Sequence, residues 1–406
     1  LYAGDVPSLA SPSRSIRHRG VAAHRWQRRS SPLARYALLA YALIVVDASL
    51  FPFAAWRDLG IGPFDYLAAD WPRRLLPFDF VVNAIGYAPL GFLLVLALHP
   101  AVRGVWSVAL ATLVAGALSI GLEAVQTYLP ARVASKVDVA SNLLGAVVGA
   151  IVAARFAHAL LDTGRLRMWR ARWFASDASR GLVLSVVWFG ALIYPDAFVF
   201  GLGGVFKVLD PAWTAWLASL AGLTNGSDAV ATAYRFEVAE ATIAALTLTG
   251  AGLLFFGLLR ASHRWPFRAG LLALFVVATV VVKALAHAFL FDEGAVWPWL
   301  TQGAREGVAF AAVALIVASL LPRRMRWALA IASFGGALVL VNLYPDNPYV
   351  TAVATSWTRG KLMNFYGLAS GLNLVWPYVA IAYLLRHRGD GSVRPARRGG
   401  ATASSL

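Results

Sequence analysis

Apolar runs of about twenty residues recur along most of this chain, broken by short polar stretches. That length suits a hydrocarbon core about 30 Å thick crossed by a helix. Helices are therefore predicted over 35–55, 80–98, 104–122, 139–160, 181–200, 236–259, 269–290, 307–321, 327–344 and 366–385, about ten spans in all. The fold class read from this pattern is all-α, a polytopic transmembrane helix bundle. Between 205 and 221 the pattern changes: Lys207, Asp210 and Pro211 interrupt it, and Trp213 and Trp216 follow. This predicts a helix lying in the interface rather than a further span. Pro52, Pro195 and Pro345 each follow an aromatic residue near a predicted helix end, where the missing N–H stops the helix.

Composition agrees: 59% of residues are hydrophobic and 14% charged, against about 25% charged in soluble domains. Mean hydropathy is +0.65. The net charge of +16 would suggest nucleic acid in a soluble protein. Here most of the Lys and Arg sort into alternate gaps and both tails, from Arg14–Arg35 through Arg165–Arg180, Arg260–Arg268 and Arg323–Arg326 to Arg386–Arg398. By the positive-inside rule both termini are cytoplasmic. The partner implied is the anionic lipid surface, not nucleic acid, since no basic motif interleaved with aromatics is present. The opposite gaps carry most acids and a Trp/Tyr belt that includes Trp56, Trp71, Tyr128 and Trp216. The first apolar segment is too long for a signal-peptide core and reads as a retained anchor.

Candidate chemistry centres on 119–149. Glu123 and Gln126, three apart, share a helix face. Pro130 ends that helix; Arg132 and Lys136 occupy a short loop; Asp138 is placed to cap the next helix, with Asn142 one turn on. A short connection makes the two helices antiparallel neighbours, so Glu123, Arg132 and Asp138 are expected to meet at one rim. Two acids and a base there suit a zwitterionic or carboxylate-bearing group, or proton transfer; they equally suit a salt-bridged hairpin. Ser141, Gly145 and Gly149 form a small-residue face for helix packing. Asp47 in the first span, and Lys283 and His287 one turn apart in the seventh, are intramembrane polar candidates. They form either a pathway or an ion pair between Asp47 and Lys283. The chain has no cysteine and no histidine cluster with ligand spacing, so no metal site is expected. No phosphate-binding loop or nucleophile elbow is present, and no cofactor is expected.

The segment Asp79–Phe92, with Asn83, Tyr87, Pro89 and Gly91, followed by Ser119, Glu123, Gln126, Arg132, Asp138, Asn142, Gly145 and Gly149, resembles the VanZ-like family of bacterial integral membrane proteins. Asp47–Pro52 also fits the family's first helix. Asn83 stands where some members carry His, so a histidine-based role is not available there. The resemblance covers roughly the first 155 residues. It implies a multi-pass protein of the bacterial cytoplasmic membrane that binds or helps handle an envelope precursor. It links the chain to glycopeptide response, since the family is named for a protein associated with teicoplanin resistance; it implies no particular reaction. The organisation expected is a basic cytoplasmic tail (1–34), a VanZ-like four-helix unit (35–160), a basic loop (161–180), a six-helix region (181–385) and a basic disordered tail (386–406). Three functions are compatible: an envelope-associated binding protein whose ligand is a lipid-linked precursor, a membrane enzyme using Glu123 or Asp138 as acid or base, and a secondary transporter using Asp47, Lys283 and His287.

Overall fold

A computed structural model of the chain describes residues 31–51, 53–71, 77–157, 160, 165–223, 229–290, 296–345 and 363–387. Both predicted tails beyond 31–387 lie outside these residues, as does the stretch 346–362. The described residues are all-helical: α1 (Pro32–Leu50), α2 (Asp65–Ala68), α3 (Pro77–Leu98), α4 (Val105–Gln126), α5 (Lys136–Ala157), α6 (Arg165–Trp173), α7 (Ser179–Ala191), α8 (Val205–Leu209), α9 (Pro211–Leu220), α10 (Ala229–Leu258), α11 (Trp265–Leu290), α12 (Gln302–Ser319), α13 (Arg323–Leu343) and α14 (Met363–His387). Eight of them are long and apolar enough to cross a membrane: α1, α3, α4, α5, α10, α11, α13 and α14.

Two predicted spans take a different form. The stretch 181–200 yields only the 13-residue α7. The stretch 307–321 lies in α12, whose first turns carry Arg305 and Glu306 and dilute its apolar run. The predicted interfacial segment is split at Asp210: α8 ends there, and the Asp210 carboxylate accepts from the Trp213 N–H at 2.9 Å to cap α9. Pro211 opens α9, where a missing N–H costs nothing. Phe206, Val208, Leu209, Trp213, Trp216 and Leu220 are all exposed, as an interface-lying element requires.

The chain divides into two compact units. The first comprises Leu1–Val45 and Ala55–Arg170; the second comprises Val46–Ala54 and Ala171–Leu406. In the first, α3 and α5 run side by side in the same direction. Glycines allow it: a Cβ on Gly145 would lie 2.0 Å from the Ala84 carbonyl oxygen, one on Gly149 1.8 Å from that of Ala88, and one on Gly91 2.1 Å from that of Ala146. Close backbone approach maximises dispersion contact where lipid offers no hydrophobic drive. α4 lies antiparallel to α5, with Gly116 against Leu143. Tyr41 of α1 donates to the Gly86 carbonyl at 2.8 Å, meeting a backbone oxygen on α3 close to Pro89, whose ring breaks the local ladder.

The second unit is built around α10. Its core includes Trp188, Phe200, Phe256, Phe334 and Trp376, with Trp188 and Trp376 4.8 Å apart between ring centroids. Gly303 and Gly307 of α12 seat that helix directly on the α10 backbone, at Glu237 and Ala241. After α7 the chain runs without helix from 192 to 204, yet Leu192, Phe198, Phe200 and Leu202 are buried. Buried irregular backbone needs partners. Lys283 of α11 donates to the carbonyls of Leu192 (3.0 Å) and Tyr194 (2.8 Å). Asn342 of α13 donates to the Gly203 carbonyl and accepts from the Phe206 N–H, and Tyr378 of α14 donates to the same Gly203 carbonyl at 2.8 Å.

Candidate functional site

The end of the first unit where α4 stops and α5 starts gathers most of the buried polar side chains of that unit among the described residues, Ser119, Glu123, Gln126, Thr127, Ser141 and Asn142. Ser135, not Asp138, caps α5: the Val137 N–H donates to the Ser135 hydroxyl at 3.1 Å. Asp138 falls instead in the first turn of α5, two residues after Lys136 and one turn before Asn142, because the helix begins earlier than a cap at Asp138 would allow. Its carboxylate accepts from the Asn83 side chain of α3 and lies within range of the Asp79 charge.

Glu123 is 4% exposed. It accepts from the Ser135 backbone N–H at 2.8 Å, and Arg132 and Asp138 are both close enough to act on its charge. Burial pushes the Arg132 guanidinium below its ordinary value, while the neighbouring Glu123 charge opposes that shift. Arg remains cationic through any such shift. Gln126 is buried on the last turn of α4. One turn below Glu123, Ser119 accepts from the Asn142 side-chain amide at 3.0 Å. Asn142 is 6% exposed, and its Oδ1 has no hydrogen-bond partner among the described residues. Tyr87 of α3 also approaches Ser119.

Residues 55–71 fold over this end. The Arg57 N–H donates to the Tyr128 carbonyl at 3.0 Å. Tyr66 on α2 donates to the Ile120 carbonyl at 3.1 Å. Burial, then the Glu123 charge, raises the Tyr66 phenol above its ordinary value. Lys136 donates to the Ala69 carbonyl and lies 4.7 Å from the centroid of the Trp71 ring. Three helices and a loop thus converge on Glu123, Arg132 and Asp138.

These elements coincide with a family boundary. Residues 21–158 match the VanZ/LLP1 family. The first unit carries a VanZ-like domain. Beyond that domain the rest of the chain has no such match; eight helices, four of them in the second unit, are long and apolar enough to cross a membrane, the character of a multi-pass membrane protein. No curated protein and no solved structure matches it.

Of the residues singled out in the sequence, Asn83, Glu123, Gln126, Arg132, Asp138 and Asn142 all fall in the VanZ-like domain, around one end of α3, α4 and α5. Asp47, Lys283 and His287 belong to the second unit: Lys283 and His287 lie one turn apart on α11, and Asp47 lies on α1. Asp47 packs against Gly371 of α14, where a Cβ would lie 2.8 Å from its Oδ1; its Oδ2 is buried with no hydrogen-bond partner among the described residues. Lys283 is held by the Leu192 and Tyr194 carbonyls and feels the Asp196 charge. Of the two readings left open for these residues, an ion pair between Asp47 and Lys283 is not formed among the described residues: the carbonyls of Leu192 and Tyr194, beyond the end of α7, hold the ammonium. Among the described residues there is no group of three or more His, Cys, Asp or Glu side chains able to hold a metal. Sequence reading passed over Tyr66 and Ser135. Ser135 had a readable signal, as a Ser immediately before an apolar helix. Tyr66 had none, since its neighbours come from 54 residues away along the chain.

Proposed function

We propose that the VanZ-like domain binds the polar headgroup of a lipid-linked envelope precursor at the outer face of the bacterial cytoplasmic membrane, through the rim formed by Glu123, Arg132, Asp138, Asn83, Gln126 and Asn142. The observation that carries this reading is Glu123: a carboxylate 4% exposed at a bundle end, flanked by one cation and a second carboxylate. A charge so placed is costly, and such charges in membrane proteins concentrate where a ligand or proton is handled. Asn142 supports it, because a buried carbonyl oxygen without a donor is an open valence beside that carboxylate. The acids and Arg132 together suit a headgroup bearing both signs of charge. The basic residues at the opposite helix ends support an outward direction for the rim.

The test compares envelope lipids and peptidoglycan precursors by mass spectrometry in a deletion strain, the wild type, and Glu123→Gln at matched protein level. Gln keeps an acceptor for the Ser135 N–H and removes the charge. A precursor whose abundance changes on deletion and changes likewise in Glu123→Gln is expected. A covalently altered species would turn the reading into that of an enzyme. Precursor pools identical in all three strains would end the proposal.

A further inference from the structure

The end of the second unit where α10 stops carries positive charge with too little to balance it. Arg268, near the start of α11, places its guanidinium carbon 4.2 Å from the centroid of the Phe256 ring. Arg326, near the start of α13, places its own 5.1 Å from the same ring. Phe256 is fully buried, so two guanidinium groups share one desolvated aromatic ring at the foot of α10. Arg323 adds a third charge, 4.8 Å from the Trp327 ring, and both Arg268 and Arg323 repel Arg326. Arg326 also has a structural role, donating to the carbonyls of Ser319 and Leu321 at the end of α12. The Nε of Arg268 and that of Arg326 are both buried with no hydrogen-bond partner among the described residues. Among the described residues Asp177 lies with Arg180 and Arg323 around Tyr383, so arginines outnumber it there. Cation–π contact favours each guanidinium but does nothing for their mutual repulsion. Buried charges in proteins are ordinarily paired. What is missing is an anion.

We propose that Arg268 and Arg326 hold a phosphate group, and that it is the phosphodiester of an anionic phospholipid. Guanidinium presents parallel N–H donors that match phosphate oxygens two at a time. The surroundings favour lipid as the source. Trp265, Phe267, Met325 and Leu329 beside the two arginines are exposed apolar side chains, on which acyl chains would lie while the phosphate meets the arginines. The Trp265 indole, fixed by its 2.9 Å bond to Ser319, is the kind of side chain that sits at headgroup depth. Basic pockets between membrane helices bind such headgroups. This site is separate from the VanZ-like rim and does not depend on what the rim binds.

The test uses the full chain purified in mild detergent, with native mass spectrometry after exposure to equal amounts of phosphatidylglycerol and phosphatidylcholine. Wild type is expected to retain phosphatidylglycerol over phosphatidylcholine, and Arg268→Gln to lose about tenfold of that preference. Arg264→Gln, at an exposed neighbour, is expected to keep it. Arg268→Gln is preferred to Arg326→Gln because Arg326 also caps α12, and its elution on gel filtration checks the fold. In a second arm, inorganic phosphate alone is added and the melting temperature followed. A rise that depends on Arg268, without any lipid preference, would assign the site to soluble phosphate and overturn the lipid. No Arg268-dependent response in either arm would overturn the site itself.

Discussion

At the scale of single residues, Tyr66 offers a direct electrical probe of the rim. Its hydroxyl is buried against the Ile120 carbonyl, and burial together with the Glu123 charge disfavours the phenolate. The folded protein therefore keeps this proton at a pH where the unfolded chain has released it. Stability from Tyr66 is present in full below the ordinary tyrosine value, about 10. It declines as pH rises above that, because the unfolded state then binds fewer protons than the folded one. Tyr66→Phe removes both the hydrogen bond and the titration. Near pH 8 the variant should melt below wild type, by an amount matching about 1 kcal/mol for one hydrogen bond. The gap should narrow as pH passes about 10. Melting curves of both proteins across that range measure it, and a gap independent of pH would mean that neither burial nor the Glu123 charge holds the phenol above its ordinary value.

At the scale of helices, glycine placement decides what substitution does. Gly145 and Gly149 sit where an added Cβ would strike the α3 backbone, at 2.0 and 1.8 Å from carbonyl oxygens. Either Gly→Ala change must push α3 and α5 apart, costing about 1–3 kcal/mol as overpacking does. Asn83 and Asp138 belong to these two helices, so separation also loosens their contact. Gly121 is the control: it lies within α4 with nothing within 4 Å of a Cβ. Gly121→Ala should be neutral or gain up to about 1 kcal/mol, the helix preference of Ala over Gly. Melting temperatures of the three variants separate the cases; equal effects at all three positions would refute the close-packing argument. The small-residue face on α5 was legible in the sequence because its spacing of four is a helix property. The grouping around Glu123 was legible for the same reason: spacing fixes which side chains share a face, and a short loop fixes which helix is next. The partner of Lys283 was not legible. Pro195 and Asp196 signal a stop near the far end of 181–200, but nothing before them announces that α7 already stops at Ala191 and leaves carbonyls for an ammonium from 91 residues away.

At the scale of the whole molecule, the parity of membrane crossings decides where the rim faces. Eight helices are long and apolar enough to cross, and eight or ten crossings alike place both tails on one side. A ten-crossing arrangement would add α7 with the stretch after it, and α12, to these eight. The start of α7 and the end of α10 lie together, since the Ala175 N–H donates to the Leu258 carbonyl and the Arg260 N–H to that of Trp173. α7 therefore sets out from the C-terminal end of α10, and the irregular stretch 192–204 follows it. α12 ends beside the start of α11, where Trp265 meets Ser319, and its 18 residues extend about 27 Å. The proposed orientation puts both tails in the cytoplasm and the rim outside. The absence of cysteine allows this to be tested with single introduced thiols: Ser13→Cys and Ser404→Cys in the tails, Ala131→Cys between α4 and α5, and Ala221→Cys after α9. In intact cells a membrane-impermeant maleimide should label the positions at 131 and 221 and spare both tails until the membrane is permeabilised. Labelling of one tail alone would require an odd number of crossings. Labelling of both tails, with 131 protected, would turn the protein over. Glu123 and Arg132 would then face the cytoplasm, where a lipid-linked precursor still presents its headgroup before translocation, and the ligand search would have to move to that side.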